Sequence, residues 1–182
     1  MNLAEDFVPI SLYLKSPFIL VINPALPVHS VRDLIAYIKE RPGQISYASS
    51  SIGGAPHLST EYLKQRFDLD INHVPYKNSP QSIADRCRRP CVACICGSER
   101  LAALIKDGKL RAIAVTSLTR LPSLPDVPPL AEAAGGHGFE AVSWHVLFAK
   151  TGTPAAIVDK LHSEMTRIMS EPDLKKPSQI TA

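Results

Sequence analysis

The chain has 182 residues, of which 45% are hydrophobic and 20% charged, and its formal net charge is +3. This length supports one hydrophobic core or slightly more, and the composition is typical of an ordinary globular protein. The small charge, carried by scattered basic residues, argues against a nucleic-acid partner, and no segment reaches the roughly 18 apolar residues of a membrane-spanning helix.

The N-terminus carries no export signal in this sequence. Met1 to Phe7 lack the basic start, the apolar run and the small-residue cleavage site of a secretory signal peptide. Taken literally, this N-terminus predicts a cytoplasmic protein. A fragment that lacks its true N-terminus would show the same pattern.

The first predicted elements are two strands and a helix. Phe7–Leu14 and Phe18–Ile22 are apolar, β-favouring runs, and Lys15–Pro17 separates them. Ser30 then precedes a segment whose apolar residues recur at helical spacing, which predicts a capped helix. Its core face is predicted to contain Val31, Leu34, Ile35 and Ile38.

The next stretch, residues 44–59, is the most distinctive in the chain. Gln44–Ala48 predicts a short strand, and a helix is predicted from about Pro56 to Phe67, since proline suits a first helical turn. Its core face is predicted to contain Leu58, Tyr62, Leu63 and Phe67. The loop between strand and helix consists of small residues and one isoleucine: Ser49, Ser50, Ser51, Ile52, Gly53, Gly54 and Ala55.

This loop has the chemistry of an anion site. Glycines allow positive φ or a close approach to a ligand, and the free N–H groups and positive dipole end of a helix favour an anion. The hydroxyls of Ser49, Ser50 and Ser51 are suited to hydrogen-bond a carboxylate. The alternative is an ordinary strand-to-helix turn that is capped by its own serines.

The remaining elements continue to alternate between strand and helix. Strands are predicted at 71–76, 110–116 and 139–149, and a last helix begins after Thr153. This alternation predicts an α/β fold with a mainly parallel sheet and helices on both faces. Ligands of such sheets bind at the carboxyl ends of strands, where Ser49–Gly54 and Lys77–Ser79 would lie.

Seven phrases, in order, resemble one protein family over nearly the whole chain. They are VHSVRDLIA (28–36), RPGQISYAS (41–49), GAPHL (54–58), HVPYK (73–77), IKDGKLRA (105–112), LPDVP (124–128) and SW (143–144) through GTP (152–154). The chain resembles the Bug-type extracytoplasmic solute receptors, the substrate-binding subunits of tripartite tricarboxylate transporters.

The resemblance implies a two-lobed fold of the periplasmic-binding-protein-like (type II) class. It implies a periplasmic receptor without cofactor or catalysis that captures a small carboxylate and passes it to a membrane permease. The ligand classes implied are di- or tricarboxylates, amino acids and aromatic acids. The loop from Ser49 to His57 matches the family's cleft loop, Tyr76 and Lys77 match the next strand end, and Trp144 lies on the strand that returns between lobes.

Compared with the family, the chain is expected to be one nearly complete lobe plus a remnant of the other. The expected division is a crossing strand at 1–12, the second lobe at 13–142 and a return strand and helix of the first lobe at 143–182. Residues 86–97, RCRRPCVACICG, depart from the family pattern without a change in length. That departure is typical of a compensated frameshift, so a truncated or frameshifted product that binds nothing is the second hypothesis.

The cysteines and arginines of this segment predict neither a metal nor a nucleic-acid site. Cys87, Cys91, Cys94 and Cys96 are spaced C-x3-C-x2-C-x-C, whereas structural zinc sites use two separated C-x2-C pairs. Buried cysteines acting as small apolar residues are the preferred interpretation. The arginines lack the interleaved aromatic residues of a stacking platform.

A small-molecule hydrolase is the third hypothesis. It would use the Ser49–Ser51 loop with His57, His73 or His145, but the chain lacks the G-x-S-x-G elbow of α/β-hydrolases. His57 is better suited to pack against the loop or donate to a ligand. Glu61, one turn further along, is expected to face solvent.

Overall fold

The computed structural model describes residues 2–49, 51–76, 91–97, 101–135 and 138–172, with backbone alone at 91–94. The chain divides into two compact units. The first consists of Met1–Ser16 and Ser143–Ala182, and the second of Pro17–Val142. They are called the terminal unit and the central unit below.

The sheet of the central unit is mixed. Its strands are β1 (Phe7–Ile22), β2 (Ile45–Ser49), β3 (Ile71–Pro75), β4 (Cys91–Gly97) and β5 (Arg111–Val115), in the order β3-β2-β4-β1-β5. β2 is parallel to β3 and β4, whereas β1 is antiparallel to β4 and β5. The prediction of a mainly parallel sheet is therefore wrong at β1, because this strand is antiparallel to both β4 and β5.

β1 is one strand of 16 residues where the sequence predicted two. Pro17 has no N–H to donate, which suggested a break. In the structure, pairing with β4 begins at Phe18 and pairing with β5 at Ile19, so the ladder needs no donor from Pro17. The strand therefore continues from one unit into the other.

Alternating side chains of β1 supply both hydrophobic clusters of the central unit. Phe18, Leu20 and Ile22 belong to the larger cluster, which also contains core residues of the first long helix. Ile19 and Val21 belong to the second, with Leu101, Leu110 and Val115. The segment Phe18–Ile22 of β1 is thus buried on both faces of the sheet.

The helices of the central unit are α2 (Val31–Lys39), α3 (Ala55–Phe67), α4 (Ala102–Lys106) and α5 (Leu130–Ala133) in the described residues. Ser30 caps α2 as predicted, since its side chain accepts the N–H of Asp33.

The predicted core face of α3 is only partly correct. Leu63 is buried, but Leu58 and Tyr62 are exposed, and Ser59 and Thr60 are buried instead. Both hydroxyls donate to carbonyls one turn earlier in the helix, which satisfies them without a partner in the core.

The terminal unit contains α1 (Leu3–Asp6), the first part of β1, β6 (Val142–Lys150) and α6 (Ala155–Ser170). β6 pairs with β1, and the Phe7 and Phe148 rings meet edge to face at 6.4 Å. α6 has no buried residue. No helix in the described part of the chain combines the length and apolar character that a membrane crossing needs.

Candidate functional site

The candidate site is the connection from β2 to α3, whose residues Ser51–Gly54 are called the Ser/Gly loop. Gly53 has a φ of +76°, a left-handed conformation in which glycine alone is unstrained. Gly54 is the N-cap of α3 with extended backbone. A Cβ atom there would lie 2.1 Å from Ser51 Oγ, so Gly54 permits this close approach.

The start of α3 presents backbone donors. No side chain caps the helix at Gly54 among the described residues, and Pro56 has no N–H. The N–H groups of Ala55 and His57 belong to the first turn, where an α-helix offers no internal acceptor. The N–H of Gly53 is already used, because it donates to His57 Nδ1 at 3.1 Å.

Three rings stack beneath the loop. Tyr47 on β2 pairs in register with His73 on the parallel strand β3, and their ring centroids lie 4.8 Å apart. His57 of α3 lies 4.2 Å from His73 and 6.3 Å from Tyr47. The stack therefore joins α3 to the middle residues of β2 and β3.

Ser49 connects the stack to the loop. Its side chain is buried, and its hydroxyl contacts both the Ser51 carbonyl at 3.0 Å and His73 Nε2 at 2.7 Å. A hydroxyl has one proton, and the Ser51 carbonyl can only accept it. Both contacts are hydrogen bonds when His73 carries its proton on Nε2 and donates to Ser49.

A carboxylate and an ammonium group complete this polar network. The buried Tyr47 hydroxyl donates to Glu61 Oε1, which also accepts from Lys64 Nζ at 3.1 Å. Burial raises the pKa of Tyr47, and the bond to the Glu61 carboxylate raises it further. Burial alone would raise the pKa of Glu61, but the hydrogen bonds from Tyr47 and Lys64 outweigh it and the pKa is lowered.

His73 is held neutral in this setting. Burial lowers the pKa of its ring, and positive charge on His57 lowers it further. The Nε2–H group that donates to Ser49 is present in the neutral and in the charged ring alike.

The structure brings most of the predicted site residues together. Ser49, Ser51, Gly53, Gly54, Ala55 and His57 all lie in or beside the loop. Tyr76 joins them, since its N–H donates to the Ser49 carbonyl at 2.9 Å. Ser50 and Lys77 lie outside the described residues. Trp144 belongs to the terminal unit, and its side chain is 70% exposed.

Sequence reasoning missed the supporting network. Tyr47 and Lys64 were not singled out, and His73 was considered only as a possible base. Glu61 was expected to face solvent; its side chain is 39% exposed, but it also accepts two hydrogen bonds. One available signal was the four-residue spacing of His57 and Glu61, which places both on one helix face.

The described residues contain no group of three or more His, Cys, Asp or Glu side chains arranged to hold a metal ion. Cys87 and the side chains of Cys91 and Cys94 lie outside the described part, and Cys96 is disulfide-bonded. The interpretation of the cysteines as small apolar residues is partly correct for Cys96, which packs against the second hydrophobic cluster but is bonded in a disulfide.

The profile of a family described as "Tripartite tricarboxylate transporter family receptor" matches residues 1–179. The chain belongs to this family. It is 36% identical over 172 residues to a UPF0065 protein in the tcbD-tcbE intergenic region of Pseudomonas sp. strain P51, covering 93% of this chain and 51% of that protein. It is 34% identical over 165 residues to BugT of Bordetella pertussis, covering 91% and 50%.

Solved structures of similar proteins support the same family and show its fold. Rpa4515 of R. palustris, determined with adipate, is 34% identical with a TM-score of 0.83, covering 96% of this chain and 58% of that one. The periplasmic binding protein BugD is 31% identical with a TM-score of 0.78, covering 93% and 56%.

These relatives confirm the predicted family and the α/β periplasmic-binding-protein fold. The family is one of receptors rather than enzymes. The chain spans about half the length of the curated relatives it matches.

Proposed function

We propose that this chain is the ligand-binding part of a periplasmic solute receptor that holds a small carboxylate at the start of α3. The observation that carries the proposal is the uncapped first turn, where the N–H groups of Ala55 and His57 point out of the helix end. A carboxylate there gains charge-assisted hydrogen bonds and the favourable end of the helix dipole.

The Ser/Gly loop supplies the shape of this site. Ser51 is exposed, so its hydroxyl is free to orient a bound acid, whereas the buried Ser49 supports the loop from below. Tyr76 adjoins Ser49 at the next strand end. We assign Ser50 and Lys77 to the same site on the family pattern.

The central unit, Pro17–Val142, corresponds in this proposal to one lobe of the receptor, and the terminal unit to part of the other. Receptors of this class gain affinity by closing two lobes over the ligand. The isolated chain is therefore expected to bind weakly, with a Kd on the order of 1 mM. Transfer of the solute to a membrane permease is the role proposed for the whole protein.

The ligand class is a dicarboxylate or a related acid. The support is that Rpa4515, which is 34% identical to this chain, has adipate bound. Isothermal titration calorimetry with adipate, malate, citrate, glutamate and nicotinate tests the class. A flat response to every acid would favour the hypothesis of a product that binds nothing.

A proline substitution tests the site itself. Ala55→Pro removes one donor N–H at a position where proline fits, because Gly54 before it is already extended. We expect roughly tenfold weaker adipate binding, the effect of one charge-assisted hydrogen bond.

The matched control is Ala155→Pro, which changes the first residue of α6 after the extended Pro154. It removes the same group from a helix outside the proposed site and is expected to leave adipate binding unchanged. Equal affinities for the wild type and Ala55→Pro would contradict the proposal.

A further inference from the structure

The Ser/Gly loop is fastened by two histidines. The His57 ring accepts the N–H of Gly53 at Nδ1, and the His73 ring holds Ser49, whose hydroxyl donates to the carbonyl of Ser51. Each histidine therefore fixes one end of the loop. The two rings also contact each other, with their centroids 4.2 Å apart and their planes tilted by 30°.

We propose that His57 is a positioning residue for the Ser/Gly loop and holds it in place only while its ring is neutral. An imidazole nitrogen accepts a hydrogen bond only when it carries no proton, and both nitrogens of an imidazolium are donors. Protonation therefore replaces the bond between Gly53 N–H and His57 Nδ1 with a contact between two donors.

The position of Gly53 makes this bond consequential. The residue has a φ of +76° and directly precedes the N-cap Gly54, so its orientation sets the path of the chain into α3. Loss of the bond frees Gly53 to leave this conformation. The amides at the start of α3 then lose the loop that shapes the space in front of them.

The titratable groups beside the histidine pair lie on two elements of the described chain. On α3, Glu61 lies one turn from His57; its charge raises the pKa of His73, whereas the charge of Lys64 lowers it. From β2 the neighbour is Tyr47, which stays neutral because its pKa is raised. Burial, together with charge on His57, lowers the pKa of His73. The bond to Ser49 persists as the pH falls, because Nε2 carries a proton in the neutral and in the charged ring alike.

The response of the loop to pH does not depend on any ligand, but its effect on affinity rests on the proposed function. ¹H–¹⁵N NMR spectra of the ligand-free chain between about pH 7.5 and pH 5 test the first part. We expect the Gly53 amide signal to shift with the same midpoint as the ring nitrogens of His57. A Gly53 signal that stays constant while that ring titrates would overturn the inference.

Two variants separate this effect from a general response to acid. His57→Asn places an amide oxygen near the position of Nδ1, an acceptor that takes up no proton in this range. In His57→Asn, the Gly53 amide signal is expected to stay at its neutral-pH position over the whole pH range. In His57→Ala, which has no acceptor, the signal is expected to stay at its low-pH position over the same range. The same pH-dependent shift in His57→Asn as in the wild type would also overturn the inference.

Adipate binding at about pH 7.5 and pH 6 tests the consequence for affinity. We expect roughly fivefold weaker binding by the wild type at the lower pH, the effect of one lost hydrogen bond, and a smaller change in His57→Asn. Adipate itself takes up protons as the pH falls, and this affects both proteins equally, so the comparison with His57→Asn cancels it. Absence of binding at either pH would count against the proposed function, while the NMR result would still decide the role of His57.

Discussion

The two units of the chain bury their apolar side chains to very different extents. In the described residues, nearly all of the buried apolar side chains belong to the central unit, and Ile10 is the one such residue of the terminal unit. The terminal unit instead exposes large apolar residues on its strands and on α6. They include Leu12, Leu14, Trp144, Phe148, Ile157, Leu161 and Ile168.

This difference indicates where the stability of the chain resides. Burial of apolar surface is the dominant favourable contribution to folding. The central unit has a strand buried on both faces and two clusters around it, whereas the terminal unit has elements without a core of their own. We therefore expect the central unit to dominate the free energy of unfolding.

The largest expected effect comes from a matched pair of leucines. Leu20 is fully buried in β1, and Leu161 is 40% exposed on α6. Leu20→Ala is expected to lower the free energy of unfolding by about 2–5 kcal/mol, through lost burial and the cavity left behind. Leu161→Ala is expected to cost less than about 1 kcal/mol. Similar losses for both in urea unfolding would show that the terminal unit has a core.

A pair of threonines makes the same comparison for hydrogen bonds. Thr116 is fully buried; its oxygen accepts the N–H of Phe18 at 2.8 Å, and its hydroxyl also contacts the Ala141 carbonyl. Thr116→Val leaves that N–H unsatisfied in the core and is expected to cost about 1–3 kcal/mol.

The control for this prediction is Thr151→Val in the terminal unit. The Thr151 hydroxyl donates to the Glu5 carbonyl at 2.7 Å in an exposed setting, where water replaces it. Its change in urea unfolding is expected to be within about 0.5 kcal/mol. A larger loss for Thr151→Val than for Thr116→Val would reverse the comparison.

Two glycines extend the comparison to backbone conformation. Gly53 and Gly152 both have positive φ, at +76° and +89°, and both have open space where a Cβ would lie. Alanine at either position is expected to introduce about 1–2 kcal/mol of local strain. For Gly53→Ala, the free energy of the main unfolding transition, monitored by circular dichroism, should decrease by the full amount of this strain.

For Gly152→Ala the main transition should shift less, because an element with little buried surface opens at lower cost. Equal shifts would mean that the two units unfold as one cooperative body.

The sequence predicted individual elements better than the relations between them. The cap at Ser30 and the helix after the Ser/Gly loop are local patterns, and both are present. β1 continues through Pro17 and pairs antiparallel with both of its neighbours. Both features depend on which strands lie beside β1, and a local sequence pattern does not contain that information. The local patterns also led to the family, and hence to the correct fold.

The candidate site shows the same limit. Its glycines and uncapped helix start are visible in the sequence around Gly54. The network beneath it requires Tyr47 to lie opposite His73, and that register is fixed by strand pairing between distant segments. A burial pattern that places Ser59 and Thr60 inside is also invisible to hydrophobic periodicity, because their hydroxyls bond within the helix.

The smallest expected effect is a dependence of stability on pH that belongs to the central unit. The pKa of His73 is lowered from its ordinary value of 6.5 by burial, so the unfolded chain takes up a proton at higher pH than the folded chain does. The stabilising effect of neutral His73 is complete well above pH 6.5 and decreases as the pH falls below that value. Urea unfolding between about pH 8 and pH 5 should therefore show a decreasing free energy of unfolding.

Two histidine variants assign this slope to one unit. His73→Gln removes the titrating ring and is expected to flatten the dependence. His162 of the terminal unit has its Nδ1 atom 2.7 Å from the Ile10 carbonyl, which requires that nitrogen to donate. Such a bond survives protonation of the ring. His162→Gln should therefore keep the slope of the wild type, and a slope that disappeared in this variant instead would place the pH-sensitive element in the terminal unit.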